Sequence, residues 1–436
     1  MSFDAISPID GRYRAEAEPF SSYFSEEALT AERTRVELAY VGLLVELGVA
    51  PRTKVPAVKP DMHEIKRLED KLGHDVKAVE VYIREALERS KARALAPYVH
   101  LGLTSEDTNS LAFALLLKSA KKEVLVPAYA SLARQLAGLA SREADTVMSA
   151  RTHGRPAVPT TFGKEMAVFA VRLAERTAYL DGLVPVAKFS GAVGTYASFS
   201  VMADIDWPEK LNGFVEGLGV ESARYSTQVV PGERLSDILH AVININQLMA
   251  SLSRDLWLYQ MLDLVHFLRP GKVSSSTMPQ KVNPVDLENA EGQADVSTSM
   301  LILQAYRLQQ TRLQRDLSDS IIRRMIGQAL AHSFVACGRL HASLSAMKVE
   351  RQSMKADLDR HPEVLAEREQ IVRRMKGEAR GYESVRSSVE RGRFAPSAPL
   401  ASYVGSAAVL AREAPSVVRV LLGGRGPRRA RKPSSS

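Results

Sequence analysis

Apolar residues recur at helical spacing along most of this chain. Val76, Val79, Ile83 and Leu87 lie three or four positions apart and predict the buried face of a helix that begins at about His74. Similar patterns run over residues 26–47, 63–72, 111–146 (with an interruption at a proline), 163–184 and 235–268. The frequent Ala, Leu, Val, Glu and Arg also favour helix. We therefore expect long helices joined by short breaks.

One break, at residues 151–161, carries a histidine. Pro156, Pro159 and Gly154 stop the helical pattern there, so His153 lies on a constrained loop. An imidazole titrates near neutral pH and is the commonest general acid or base in enzymes. A histidine on such a loop is a candidate catalytic group.

A second break, at residues 271–284, is rich in small hydroxyl side chains. Asn283 suits an N-cap, Pro284 the first helical position, and Asp286 places acid in the first turn of a helix that runs to about residue 313. Lys281 stands beside this helix start. Helix N-termini and lysines both stabilise anions, so a serine nearby would ionise more easily than in water. Physical reasoning alone leaves open an ordinary flexible loop before a capped helix.

Two further helix starts could hold anions. Thr104 and Asp107 form a capping-box pattern before the apolar run at residues 111–117, and the hydroxyls and amides there could bind a carboxylate. Ser320 and Arg324 are four residues apart and share a helix face, with Arg315 just upstream, which suggests a phosphate site. A well-capped helix without a ligand is the alternative in both places.

Composition narrows the class of protein. The 436 residues are 45% apolar and 25% charged, and the single cysteine, Cys337, excludes a disulfide framework or a cysteine metal site. The formal charge is +8, but five cations lie after residue 424, which leaves +3 for the rest. We find no nucleic-acid-binding motif, signal peptide or membrane span, and expect a cytoplasmic protein for which nucleic acid is an unlikely partner.

The second break also carries a family resemblance. Residues 275–284, Ser-Ser-Thr-Met-Pro-Gln-Lys-Val-Asn-Pro, resemble the signature loop of the fumarase/aspartase superfamily, and residues 285–292 resemble the adenylosuccinate lyases within it. The resemblance implies that Ser275 is the general base, that Lys281 and Asn283 stabilise negative charge, and that His153 is the general acid. Two positions depart from the pattern: Ser274 replaces a glycine, and Arg155 replaces a glutamine.

The resemblance also implies a set of substrate contacts. These are Arg12, Tyr13, His74, Thr104, Ser105, Thr152, Gln228, Asn283, Arg315, Ser320 and Arg324. It implies no metal and no cofactor, and the sequence contains no motif for either.

The fold implied is all-α and fumarase/aspartase-like, with three helical domains. We expect an N-terminal domain at residues 1–95, a central long-helix bundle at 96–347 that includes the signature loop 271–284, a C-terminal domain at 348–421, and a basic disordered tail at 422–436. The family implies a homotetramer whose active sites are shared between subunits.

The function implied is cofactor-free release of fumarate from a small nucleotide substrate. Adenylosuccinate would give AMP, and its imidazole-carboxamide analogue SAICAR would give AICAR, in purine nucleotide biosynthesis. Arg155 and Ser274 keep open a paralogue that acts on another succinyl-amine or a related acid. A catalytically silent helical scaffold is the second alternative.

Overall fold

The structure is a computed structural model that describes residues 4–268, 277, 278 and 280–423. Its helices, in chain order, are α1 Arg14–Ala17, α2 Ser21–Phe24, α3 Glu26–Glu46, α4 Met62–Leu72, α5 Asp75–Glu88, α6 Ser105–Ala120, α7 Val126–Arg142, α8 Phe162–Gly182, α9 Ala197–Ser200, α10 Trp207–Gly217, α11 Glu233–Met261, α12 Val285–Arg307, α13 Ser318–Arg324, α14 Ile326–Ala346, α15 Arg351–Asp359, α16 Ala366–Met375, α17 Gly381–Glu390 and α18 Ala407–Leu422. A π-helical turn, Lys121–Leu125, joins α6 to α7.

Short strands form three two-stranded sheets within the described residues. The strands are β1 Val147–Thr152, β2 Arg155–Thr161, β3 Val186–Ala187, β4 Glu221–Ser222, β5 Val265–Phe267 and β6 Met347–Val349. β1 pairs with β2 and β5 with β6 in antiparallel fashion, whereas β3 and β4 are parallel. No helix in the described ranges is long and apolar enough to cross a membrane.

The chain divides into two compact units, each built from three stretches. Unit 1 comprises Met1–Pro127, Leu180–Ile243 and Val296–Val335. Unit 2 comprises Ala128–Tyr179, Asn244–Asp295 and Ala336–Ser436. The three-domain boundaries expected from the sequence stay a prediction.

An aromatic group lies at the centre of unit 1. Tyr40 of α3 packs against Phe189 with ring centroids 5.3 Å apart, and Phe189 packs against Phe214 of α10 at 5.2 Å. Phe199 meets Trp207 at 5.6 Å, and Tyr40, Phe189 and Phe199 are almost completely buried. Ring contacts at these distances add to the stabilisation from buried area, so they fix α3 and α10 around the segment that follows β3.

Unit 2 holds the β1–β2 hairpin in place through a partly buried ion pair. Arg151 at the end of β1 donates from Nη2 to both carboxylate oxygens of Asp357 on α15, at 2.8 and 2.9 Å. Phe162, directly after β2, packs edge-to-face on Tyr259 of α11 at 5.8 Å. Both ends of the hairpin are therefore anchored inside this unit.

The helices predicted by periodicity are confirmed, with shifts at several ends. α3, Glu26–Glu46, ends one residue before the predicted Leu47, and α5 begins one residue after His74 as expected. The capping box at Thr104 is present, with the Thr104 backbone N–H donating to Asp107 Oδ2 at 2.8 Å. α12 begins at Val285, one residue later than the sequence predicts, and ends at Arg307 instead of near residue 313.

Two segments differ from the sequence prediction. The break at residues 151–161 is not a loop but part of the β1–β2 hairpin. Pro156 and Pro159 fit in β2 because both strands of a two-stranded sheet are edge strands, where proline is accommodated. α11 stops at Met261 rather than near residue 268, since Asp263 takes a left-handed φ of 55° and β5 then pairs with β6.

Candidate active site

Four arginines interleave with three carboxylates in unit 1. This arginine cluster consists of Arg33, Arg315, Arg323 and Arg324 with Asp75, Glu106 and Asp319. Because the cations outnumber the carboxylates by one, the cluster suits an anionic ligand.

Asp75 brings two arginines next to His74. The Nδ1 atom of His74 accepts the backbone N–H of Lys77 at 3.3 Å and so caps α5, while the ring stays half exposed. Asp75 Oδ2 accepts from Arg33 at 2.8 Å and from Arg324 at 3.0 Å. Burial acts to raise the pKa of Asp75, but Arg33 and its hydrogen bonds outweigh burial and lower it. An ionised Asp75 therefore holds Arg324 beside His74.

Glu106 connects two predicted substrate contacts to the start of α6. This second residue of α6 follows Ser105 and is only 2% exposed. Its Oε1 accepts from Arg323 Nη1, and its Oε2 lies 3.5 Å from Arg315 Nη2. Arg315 Nη1 in turn donates to Gln228 Oε1 at 3.1 Å. The structure thus brings together Arg315 and Gln228, and ties them to the start of α6.

Arg323 and Asp319 complete the cluster one helical turn apart on α13. Arg323 Nη2 donates to Asp319 Oδ2 at 3.2 Å. Burial acts to lower the pKa of Arg323, but Glu106 and Asp319 outweigh it and raise the pKa, so the guanidinium stays charged. Burial is also the main influence on Asp319 and raises its pKa.

A cavity of about 270 Å³ opens beside the cluster. Ser320, Arg323 and Arg324 line it, which confirms that Ser320 and Arg324 share a face of α13. The remaining lining residues are Tyr23, Phe24, Ser25, Glu26, Leu29, Arg33, Glu106, Asn109, Phe113 and Leu116. Cations beside two phenyl rings suit a ligand with an anionic group and an apolar part.

A buried ion pair beneath Thr104 and Ser105 fixes the loops around them. Asp107 Oδ1 and Lys188 Nζ lie 2.9 Å apart, and both side chains are fully buried. Asp107 Oδ1 also accepts the backbone N–H of Ser190 at 2.9 Å, while Lys188 Nζ donates to Gly191 O at 2.6 Å. The start of α6 is therefore locked to the loop that follows β3.

His153 occupies a two-residue turn between β1 and β2 in unit 2. His153 and Gly154 have φ values of 54° and 74°, as in a type I′ hairpin turn. Thr152 pairs with Arg155 across the turn, and all four residues are exposed. The turn presents the His153 imidazole to solvent at the tip of an anchored hairpin.

Part of the signature loop lies outside the described residues. Ser274 belongs to this part, and so does Ser275, the predicted general base. The tail from residue 424 onward also lies outside the described residues. Lys281 is exposed, and its backbone N–H donates to Met278 O at 3.1 Å. Asn283 is partly buried two residues before α12. These two side chains precede the helix start as the sequence predicts.

Arg12 and Tyr13 lie immediately before α1 in unit 1. The Arg12 guanidinium carbon is 6.0 Å from the centroid of the Tyr13 ring, and Arg12 is exposed. Neither residue lines the cavity beside the arginine cluster. Their contact with the phosphate remains a prediction from the family resemblance.

Sequence reasoning missed the residues that hold the predicted contacts in place. These are Arg33, Asp75, Glu106, Lys188 and Arg323. Asp107 was predicted as part of the capping box, but its ion pair with Lys188 was not. Lys188 could have been predicted as a buried, paired lysine, because it lies inside the apolar run 185–189 and a lysine is almost never buried without a partner. Glu106 had only its position between a hydroxyl pair and a capping aspartate.

Two protein-family models match the chain. The model described as Lyase matches residues 53–296, and the model described as Adenylosuccinate lyase C-terminal matches residues 311–419. Curated relatives named adenylosuccinate lyase match most of the chain. That of Legionella pneumophila strain Corby is 35% identical over 424 residues, covering 92% of each chain. That of Escherichia coli K12 is 34% identical, covering 88% of each chain, and that of Dictyostelium discoideum is 35% identical, covering 88% of this chain and 87% of the relative.

Two solved structures share the fold. A 3-carboxy-cis,cis-muconate lactonizing enzyme from Pseudomonas putida superimposes with a TM-score of 0.77 at 20% identity, over 93% of this chain and 97% of that one. A fumarate lyase from Mesorhizobium sp. BNC1 gives a TM-score of 0.71 at 18% identity, over 94% and 98%. At these identities the likeness concerns the fold alone, and it confirms the all-α architecture expected from the sequence.

Proposed function

Because the chain belongs to the adenylosuccinate lyase family of the fumarase/aspartase superfamily and is a lyase, we propose that it releases fumarate from adenylosuccinate. The second product is AMP. The same reaction on SAICAR gives AICAR, and both steps belong to purine nucleotide biosynthesis. We also propose a cytoplasmic location, which the single buried thiol of Cys337 suits.

The arginine cluster is the observation that carries this proposal. Arg315 and Arg324, together with the hydroxyl of Ser320, supply donors for a nucleotide phosphate. The exposed cation of Arg12 adds to them in the proposal, with Tyr13 as a further hydrogen-bond donor. A net positive charge beside a cavity that is lined in part by apolar side chains suits a nucleoside monophosphate.

The start of α6 serves the succinyl group in this proposal. Thr104 and Ser105 offer hydroxyl donors to its carboxylates, and Gln228 offers an amide whose oxygen already accepts from Arg315. The family resemblance adds Thr152, at the end of β1, to the proposed substrate contacts. His74 lies at the start of α5, beside Asp75. Neutral donors at a helix start bind a carboxylate without a further full charge.

The proposed chemistry is an elimination with no added group. Ser275, as its alkoxide, takes the proton from the carbon next to one carboxylate, and the electrons left behind spread onto that carboxylate. Lys281 and Asn283 stabilise this charge. The electron pair then forms the double bond of fumarate as the carbon–nitrogen bond breaks, and His153 gives its proton to the departing nitrogen.

A panel of substrates tests the reaction. We expect fumarate from adenylosuccinate and SAICAR at comparable kcat/KM, and at least about a hundredfold less from other succinyl-amines, because these lack the phosphate that the cluster would bind. Turnover of another succinyl-amine without turnover of these two would identify the paralogue. Absence of turnover on the whole panel would favour the silent scaffold.

The proposal includes a homotetramer, which an exposed apolar stripe on α12 supports. Val296, Ile302, Leu303 and Tyr306 are 45–64% exposed. A contiguous apolar face of this kind indicates a protein interface. Ile302→Arg should reduce the tetramer fraction in light scattering, whereas Ile371→Arg on α16, where the isoleucine is 42% exposed, should not. An unchanged mass in both variants would contradict a tetramer formed through α12.

Sharing of active sites between subunits has its own test. His153→Ala and Ser275→Ala are each expected to abolish turnover. If the two residues come from different chains, some sites of a hybrid tetramer contain neither substitution, and fumarate release returns after subunit exchange. Silence in a mixture shown by mass spectrometry to contain hybrids would contradict shared sites.

A further inference from the structure

Glu106 occupies an unusual position in the arginine cluster, because both of its carboxylate oxygens are committed to arginines. Oε1 accepts from Arg323 and Oε2 faces Arg315, and the side chain is almost fully buried. A buried carboxylate is costly unless both oxygens are compensated. Here the compensation comes from two guanidinium groups on residues more than 200 positions away in the sequence.

Glu106 and Gln228 together determine how the Arg315 guanidinium is turned. Nη2 of Arg315 lies 3.5 Å from Glu106 Oε2, and Nη1 donates to Gln228 Oε1 at 3.1 Å. Two fixed contacts on the terminal nitrogens of a planar group define its plane. A guanidinium has five N–H donors, so the contacts to Glu106 and Gln228 do not use all of them.

Arg323 fixes Glu106 in turn. It donates to Glu106 from Nη1 and to Asp319 from Nη2, the latter at 3.2 Å. Asp319 is itself buried. Arg323 therefore holds Glu106 through Oε1, while Oε2 faces Arg315. These contacts form a chain from Asp319 through Arg323 and Glu106 that ends on the Arg315 guanidinium.

We propose that Glu106 is a positioning residue that aims Arg315 at the phosphate of the substrate. The inference rests on the proposed function, and it extends that function to a residue that does not touch the ligand itself. The alternative is a structural ion pair that merely joins α6 to α13. The positioning role predicts that loss of Glu106 weakens the binding of ligands with a phosphate more than of ligands without one. A structural ion pair predicts the same effect on both kinds of ligand.

Electrostatics makes the sign of the effect informative. The negative charge of Glu106 repels a phosphate, so charge alone predicts tighter phosphate binding when Glu106 becomes glutamine. The positioning role predicts the opposite, since a neutral amide holds Arg315 less firmly. A loss of phosphate affinity in Glu106→Gln therefore reports geometry and not net charge.

The test compares AMP with adenosine as ligands of the full-length protein by calorimetry. In Glu106→Gln we expect about a tenfold weaker Kd for AMP and a Kd for adenosine within about twofold of wild type. Glu369→Gln is the matched control, because Glu369 is also buried and paired with an arginine, Arg368, but lies in unit 2 and outside the proposed contacts. It should leave both ligands unchanged.

Equal weakening of AMP and adenosine would overturn the inference in favour of a structural ion pair, and so would tighter AMP binding. Glu106→Asp is a second variant for the case that Glu106→Gln does not fold. The aspartate side chain is one methylene shorter and should reach only one of the two arginines, so the Kd for AMP should be about threefold weaker. Unchanged AMP affinity in a folded Glu106→Asp would also overturn it. Fumarate release is measured separately, so failure of the proposed reaction and failure of the positioning role of Glu106 are distinguishable.

Discussion

The arginine cluster and the β1–β2 hairpin hold their functional side chains by opposite means. In the cluster, side chains hold side chains: Glu106 and Asp75 pair with arginines, and Glu106 is buried. In the hairpin, the backbone conformation of a two-residue turn positions His153, whose side chain is exposed. In the proposed function, the arginines bind substrate and benefit from fixed charge partners. His153 gives up a proton and benefits from an exposed side chain that can reach the substrate.

This difference predicts how substitutions divide between stability and rate. Removing one member of a buried ion pair leaves an uncompensated charge and destabilises the fold. Replacing an exposed residue at a turn has little effect on stability if the backbone conformation is kept. The cluster should therefore respond mainly in melting temperature and substrate binding, and the hairpin mainly in kcat.

His153→Gln should have the largest effect on turnover. Loss of the proposed general acid should lower kcat by about 10²–10⁴-fold, while the melting temperature stays within about 2 °C of wild type because the side chain is exposed. Steady-state fumarate release and differential scanning fluorimetry measure the two quantities. A variant that unfolds early would show that the histidine supports the fold.

Gly154→Ala tests whether the turn conformation positions His153. At a φ of 74° an alanine costs about 1 kcal/mol, although its Cβ would meet nothing within 4 Å. We expect lower stability and about a tenfold lower kcat, because the imidazole is displaced. Gly42→Ala is the control: its Cβ also meets nothing, but Gly42 lies inside α3, where alanine should stabilise by about 0.5–1 kcal/mol. Full activity in Gly154→Ala would mean that the turn does not position the histidine.

Asp75→Asn tests the cluster through pH. The folded-state pKa of Asp75 is lowered, so its contribution is present in full above the unfolded value of about 4 and is lost as the pH falls through the folded value. At pH 7 the variant should lose about 2 kcal/mol and melt a few degrees earlier, and the gap from wild type should close in acid. Asp204→Asn, at an exposed residue, should show neither effect. A gap that is the same at every pH would contradict the ion pair as its cause.

Arg155→Gln should have the smallest effect. Arg155 is exposed, and the hairpin register pairs it with Thr152, so its replacement should leave kcat/KM for adenylosuccinate within about twofold of wild type, or raise it. A collapse of kcat/KM would show that the arginine binds substrate, and would point to a substrate with an additional acidic group.

Local patterns in the sequence predicted local structure well. The apolar spacing from Val76 to Leu87 and the capping box at Thr104 both depend on neighbours three or four residues away, and both are present in the structure. The hairpin at residues 147–161 was missed because its prolines suggest only an interruption, whereas the strand pairing that accommodates them depends on the partner strand.

The residues that hold the site together could not be predicted in the same way. Ser320 and Arg324 were placed correctly on one face because their spacing is helical. Glu106 meets Arg323 across 217 positions, and Asp75 meets Arg324 across 249, so no periodicity connects them. Such pairs are set by tertiary packing, and a single sequence contains no record of that packing.

The most direct test of the account is to quantify both products of adenylosuccinate cleavage by the purified full-length protein. We predict that fumarate and AMP appear one for one, at a rate that saturates with substrate and falls at least about a hundredfold in His153→Gln. Adenylosuccinate that stays intact, or that disappears without releasing fumarate, would contradict the proposed reaction.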